Sequence, residues 1–376
     1  MMTLDDDDAV TVRSKLGVIR LGTHQIVNPQ PGDVPFLSAA SGTAWTGTRL
    51  YSVGDDQAAV AEYELDPVAV LEALRAGQDA DVLRPGIAER IIPDVLPLDP
   101  AQRAEQKADF EALTLVTRDD LEALPDAARR PELLRRFPHG LVIMAGSGGM
   151  SRGGRRRSTC VVYQRDEDGH IVGLPAKVSL EGLHEHLERS PWLLGELNIE
   201  GMAAYGPYLV LAQRGNSRDA EGRPAKNLLI WLSLADVLES FYTDLKVGAC
   251  ELEEIRAYDL GSLPLERDGQ RFDVKLDFTD LDAVTGDPLR RLVFTAAAEG
   301  TDDQGPAKGE IAGSIVGVID AEGNLGRTFP LEDPTIKLEG VDARYTPATG
   351  TLDLLLVSDA DEPDVPAPLM AARIPA

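Results

Sequence analysis

The chain has 376 residues and a formal net charge of -26, from 37 Lys and Arg against 63 Asp and Glu. So acidic a balance excludes general nucleic-acid binding, because phosphates would be repelled. A hydrophobic fraction of 43% is enough for a full core, and no apolar run approaches the roughly 18–20 residues of a membrane span.

Residues 1–8, ending in Asp5-Asp6-Asp7-Asp8, read as a disordered acidic tail, and residues 9–376 as one domain. The N-terminus carries no basic stretch followed by an apolar one, so a secretory signal is not expected and the cytoplasm is the expected compartment. Val10 to Leu21 alternates as a strand. A first unit follows, with strands at Ser41–Trp45, Arg49–Val53, Ala59–Leu65 and Ile87–Ile92, the turn Thr46-Gly47-Thr48, and a helical insertion from Pro67 to Leu74. A second unit runs from Ala108 to Val178. Leu121, Leu124, Leu133 and Leu134 predict a pair of amphipathic helices inside its first hairpin, and Leu141–Ala145, Thr159–Gln164 and Ile171–Val178 supply strands. Ser179 is the predicted cap of a helix to Arg189.

The third unit places strands at Gly201–Tyr205, Tyr208–Gln213, Asn227–Leu234 and Leu252–Tyr258, with a helix at Ala235–Tyr242. The fourth spans Phe272 to Leu331, with strands near Ala283, 292–297, 313–319 and 326–331. The fifth supplies Glu339–Tyr345, Thr351–Val357 and Leu369–Ile374 and is one strand short. The strand at Val10–Leu21 is one too many. Pairing the two termini in one blade resolves both and removes an exposed sheet edge. The predicted fold is an all-β, single β-propeller with five blades and short helical insertions; six blades is the rival count. Cys160 and Cys250 are expected to be buried free thiols.

A short pattern heads each unit: a polar or acidic residue, a small one, an apolar one, then a small or polar one. It reads Ser41-Gly42-Thr43-Ala44, Glu111-Ala112-Leu113-Thr114, Glu200-Gly201-Met202-Ala203, Asp282-Ala283-Val284-Thr285 and Glu339-Gly340-Val341-Asp342. In a propeller these positions face one another across a channel. Four carboxylates there raise one another's pKa, and a hard cation relieves that repulsion, so Glu111, Glu200, Asp282 and Glu339 are candidate Ca²⁺ ligands. The bland alternative is that they bond the backbone of neighbouring blades and serve closure alone. Residues just past the second strands should return to the same mouth: Asp55, Asp56, Ser147, Arg214, Asn216, Glu299, Asp302, Asp359 and Asp361. Ser147-Gly148-Gly149-Met150-Ser151-Arg152 and Arg214-Gly215-Asn216 could cradle an anion, making Ser147, Arg152, Arg214 and Asn216 candidate anion-binding residues. Arg155, Arg156 and Arg157 are expected to balance nearby carboxylates. Function is therefore expected at this one mouth.

The segment Asn198-Ile199-Glu200-Gly201-Met202-Ala203 is similar to the EG(L/M)A motif of bacterial phytase-like and esterase-like β-propellers. Asp109–Thr114 and Lys337–Val341 look like further copies. With Gly146-Ser147-Gly148 and Gln213-Arg214-Gly215-Asn216, the pattern most resembles an uncharacterised bacterial branch of those propellers. The resemblance loosely covers residues 36–376. It implies the propeller fold, calcium, and hydrolysis of a phosphoester, ester or lactone; Ser41 departs from it, leaving one ligand short. Two functions are carried forward: a metal-dependent hydrolase of a small anionic molecule, and a non-catalytic propeller that binds a ligand or a protein.

Overall fold

The computed structural model describes residues 15–29, 34–54, 59–90, 102, 108–151, 153–250, 252–301, 307–359 and 364–376. The predicted acidic tail lies outside them. β1 (Ile19–Thr23) comes first. Blade one is β2 (Ala40–Thr46), β3 (Arg49–Gly54), β4 (Ala59–Glu64) and β5 (Ile87–Arg90), with helix α1 (Pro67–Ala76) before its last strand. Asp66 caps α1 and Pro67 opens it, while Gly77 at φ 62 ends it. Blade two is β6 (Phe110–Val116), β7 (Leu141–Gly146), β8 (Thr159–Arg165) and β9 (Ile171–Ser179). The pair α2 (Arg118–Ala123) and α3 (Arg130–Arg136) joins β6 to β7, and α4 (Glu181–Glu188) follows β9. The cap of α4 is Leu180 without a side-chain bond; Ser179, the predicted cap, ends β9 and is engaged in strand pairing.

Blade three is β10 (Ile199–Tyr205), β11 (Tyr208–Gln213), β12 (Asn227–Ser233) and β13 (Leu252–Tyr258), with α5 (Leu234–Thr243) before β13. A separate hairpin, β14 (Ser262–Arg267) and β15 (Gln270–Lys275), precedes blade four: β16 (Asp277–Ala283), β17 (Leu292–Glu299), β18 (Ile311–Ile319) and β19 (Leu325–Pro330). Blade five is β20 (Lys337–Thr346), β21 (Thr351–Asp359) and β22 (Pro368–Pro375), completed by β1, which pairs antiparallel to β22 from Ile19↔Ala371 to Thr23↔Pro368. The five four-stranded blades and their closure by the two ends of the chain are as the repeat predicts, and the six-blade count falls away. Among the described residues, no helix is long and apolar enough to cross a membrane.

The second strands carry apolar runs because both their faces are buried, and alternate side chains serve opposite neighbours. In β7, Val142 and Met144 pack with Tyr51 and Phe110 toward blade one, while Ile143 and Ala145 pack with Leu209 and Ile230 toward blade three. One apolar core therefore fills each seam between blades, and α4 and α5 extend the core between blades two and three. The inner strands β2, β6, β10, β16 and β20 touch in a closed circle around the axis. Both cysteines are free and buried, and burial pushes the Cys250 thiol up to about 11.

Candidate functional site

All five inner strands begin with a β-bulge, and the bulged residue defines equivalence between blades. It is Ser41, Glu111, Glu200, Thr279 and Glu339. Thr279, not Asp282, thus stands with the three glutamates, and Asp282 lies three residues further along the channel. The residue after the bulge is small because the neighbouring inner strand runs against it: a Cβ on Gly201 would lie 2.6 Å from the Leu281 nitrogen. Blade four has Asp280 at this position instead.

The polar residues of the inner strands bolt neighbouring blades together. The Trp45 N–H donates to Asp342 (2.7 Å), joining blades five and one, and the Ala343 N–H donates to Asp282 (2.9 Å), joining blades four and five. The Val341 N–H donates to Asp280 (2.8 Å) across the same seam. Thr114 accepts from the Ala204 N–H (3.2 Å) between blades two and three, and the Ser41 hydroxyl donates to the Phe110 carbonyl (2.6 Å) between blades one and two. Between blades three and four the link comes from the start of β12 instead: Asn227 accepts from the Phe278 N–H (3.1 Å) and donates to the Leu276 carbonyl (2.9 Å). Burial pushes Asp342 up to about 6, and burial and the Asp342 charge push Asp282 well above the usual carboxylate range. The Arg344 guanidinium lies over the Trp45 ring, 3.4 Å from its centroid. Trp45 is thereby a packing residue.

At the mouth where the inner strands start, the charges neutralise one another in a chain. Glu200 accepts from Arg214 (3.3 Å) and from Asn198 (2.5 Å). Arg214 also reaches Glu299 (2.7 Å). Lys337 lies 3.4 Å from Glu299 and 2.7 Å from Glu339. Burial raises Glu200 and pushes Glu339 up to about 7, while Arg214 and Lys337 overcome the same effect at Glu299 and hold it below its ordinary value. Glu111 is half-buried at its bulge. Among the described residues, no group of three or more His, Cys, Asp or Glu side chains is placed to hold a metal ion.

Two of the four predicted anion-binding residues, Arg214 and Ser147, are engaged within the protein. Arg214 bridges two carboxylates. Ser147 is buried, and its hydroxyl donates to Asp109 (2.7 Å), which Arg157 also meets (2.8 Å). Asp109 holds a left-handed φ of 55° to present that carboxylate. Arg156 pairs with Glu188 (2.7 Å), so Arg156 and Arg157 do balance nearby acids. Asn216 follows in the loop, half-buried; Asp359 closes β21. Arg152, Asp55, Asp56, Asp302 and Asp361 lie outside the described residues.

A hollow lined by polar and charged side chains lies at the other end, the hairpin mouth, where inner strands end and turn back. A cavity of about 620 Å³ opens there between the ends of blades one to four, with Arg165, Tyr205, Thr285, Arg290, Asp119 and Glu167 in its wall. The sequence-based candidates lie at the opposite mouth, and this cavity is not among them. Its residues come from four blades with no shared spacing, so they carry no common sequence signal.

No functionally curated protein matches the chain, so the implied kinship with phytase-like and esterase-like propellers gains no support beyond the fold. Solved structures include a hydrazine synthase chain of Kuenenia stuttgartiensis, at 12% identity and TM-score 0.35, covering 86% of this chain and 77% of that one. A luciferin-regenerating enzyme is similar at 9% identity and TM-score 0.36, covering 90% of this chain and 92% of its own. Likeness at these levels carries no argument about function; strand pairing defines the propeller. A family model matches residues 103–363, and the chain belongs to that family of unknown function, DUF6910.

Proposed function

We propose that this protein is a non-catalytic, ligand-binding propeller that receives a small polar molecule at its hairpin mouth, with the carboxylates of the channel serving closure. The observation that carries the reading is the contrast between the two mouths. The strand-start mouth is occupied by the chain Glu200–Arg214–Glu299–Lys337–Glu339, which supplies the carboxylates with cations from within the protein. The hairpin mouth holds an open volume of about 620 Å³, within the span usual for small-molecule sites, roughly 300–1,000 Å³. A Ca²⁺-dependent hydrolase would need the glutamates free to coordinate the ion, which Arg214 and Lys337 oppose.

The test pairs two titrations. A panel of small polar metabolites is screened by thermal shift against the wild type and Thr285→Trp, an exposed wall position where an indole would fill the cavity. Stabilising compounds should lose their effect in the variant. Calorimetry with Ca²⁺ on the wild type and Glu200→Gln should give no stoichiometric heat. Ligands indifferent to Thr285→Trp would overturn the reading, and a Ca²⁺ site abolished by Glu200→Gln would overturn it in favour of the metal-dependent hydrolase.

A further inference from the structure

Two guanidinium groups in the hairpin-mouth cavity have no carboxylate partner among the described residues, unlike Arg156, Arg157, Arg214 and Arg291. Arg165 ends β8 and is 9% exposed. Its Nε donates to the Tyr51 hydroxyl (2.9 Å), and its guanidinium lies 5.6 Å from the centre of the Tyr51 ring. Tyr51 is itself held by the Gly169 carbonyl. Gly169 sits at a left-handed φ of 86°, which favours glycine, and a Cβ there would stand 2.8 Å from the Arg165 Nη2 and push the guanidinium aside. The side chain is thus pinned at one nitrogen, while its two terminal nitrogens meet no protein acceptor among the described residues, and Arg165 lines the cavity.

Arg290 stands in the turn between β16 and β17 at a left-handed φ of 49°. Its guanidinium lies over the Tyr205 ring, 5.2 Å from the centroid, and the Tyr205 hydroxyl donates back to the Arg290 carbonyl (2.7 Å). A side chain on Gly206 would collide with it. Arg290 also has no carboxylate within ion-pair distance among the described residues. The neighbouring acid Asp287 is taken by Arg291 in a two-pronged pair (2.7 and 2.8 Å), and Asp120 is bound to Thr117 within its own capping turn (2.8 Å).

A buried guanidinium with unused donors is costly unless something accepts from it. Both arginines are oriented by tyrosines and left unneutralised, an arrangement suited to the planar, two-pronged recognition of carboxylate or phosphate. We infer that the hairpin-mouth cavity binds a small organic anion, bearing a carboxylate or a phosphate, that engages Arg165 and Arg290. Asp119 and Glu167 on the wall, and the charge of -26 on the whole chain, repel polyanions and select a small ligand. This inference rests on the proposed placement of the ligand in that cavity.

The experiment is calorimetry of the full chain with inorganic phosphate and, separately, with succinate; glucose and putrescine serve as neutral and cationic controls. At least one anion should bind once per chain, and the anion that does tells phosphate from carboxylate. Arg290→Gln, at an exposed position, should weaken that binding about tenfold or more, as should Arg165→Gln, and Arg165→Lys should recover part of the loss. Binding of neither anion, or equal binding to wild type and Arg290→Gln, overturns the inference. If a neutral or cationic metabolite binds instead and Thr285→Trp blocks it, the anion inference fails while the cavity stands as the ligand site.

Discussion

Arg214 and Arg165 are buried to almost the same degree, 8% and 9% exposed, at opposite ends of one channel. Arg214 sits between the carboxylates of Glu200 and Glu299; Arg165 has a tyrosine hydroxyl and an open cavity. Burial therefore does not by itself mark a functional charge. What distinguishes the two is whether the protein supplies the counter-ion. Where it does, the arginine belongs to the scaffold; where it does not, the site awaits an acceptor from outside.

The largest effect should come from breaking the neutralised chain. Lys337→Met leaves Glu339 buried without its cation and Glu299 with one partner fewer, and should cost about 3–5 kcal/mol in urea unfolding. The double variant Lys337→Met with Glu339→Leu should recover much of that loss, because an apolar pair of similar volume replaces a buried ion pair at little cost. A double variant no more stable than the single one would contradict a structural role for the pair.

A second effect is pH-dependent. Glu339 is raised to about 7 by burial, so it takes up a proton on folding between the unfolded and folded pKa values. Its contribution is fully present below its unfolded value and is lost as pH rises through about 7. His24, buried against the Ala367 carbonyl (2.9 Å) and Ser52 (3.1 Å), is pushed down to about 4 by that burial and works in the opposite sense. Its contribution is present above its unfolded value and is lost as pH falls toward about 4. The difference in stability between wild type and Glu339→Gln should therefore shift by about 1–3 kcal/mol in favour of the variant between mildly acidic and mildly alkaline buffer. A difference independent of pH would remove Glu339 from the account.

Smaller effects fall on the seams and the hairpin mouth. Asp342→Ala deprives the Trp45 N–H of its acceptor and should cost about 1–3 kcal/mol, whereas Asp342→Asn keeps an acceptor oxygen and should cost less. Arg290→Gln should change stability by no more than about 0.5 kcal/mol, its guanidinium being exposed and outside any ion pair among the described residues. A large loss there would make Arg290 part of the scaffold and blur the contrast between the mouths.

Much of the fold was legible because strands buried on both faces leave uninterrupted apolar runs, such as Leu354-Leu355-Leu356-Val357. Closure by the termini followed from counting strands. The acid motif was legible at Glu111, Glu200 and Glu339 but not in blade four. There Thr279, Asp280 and Asp282 succeed one another, and the pattern fits at two offsets; the bulge, invisible in the sequence, decides between them. The β14–β15 hairpin is absent from the predicted strands although Asp268-Gly269, at φ 50° and 75°, is a hairpin turn between alternating Leu263, Leu265, Phe272 and Val274. The pairing of Arg214 and the solitude of Arg165 were beyond reach, since each depends on which strand ends meet in space.

The most direct measurement is urea unfolding of Arg214→Gln beside Arg165→Gln. Loss of Arg214 leaves two carboxylates without their shared cation and should cost about 3–5 kcal/mol, while loss of Arg165 gives up one hydrogen bond and a ring contact and should cost about 1–2 kcal/mol. Equal losses, or a larger one at Arg165, would contradict the division of the channel into a neutralised mouth and a receptive one.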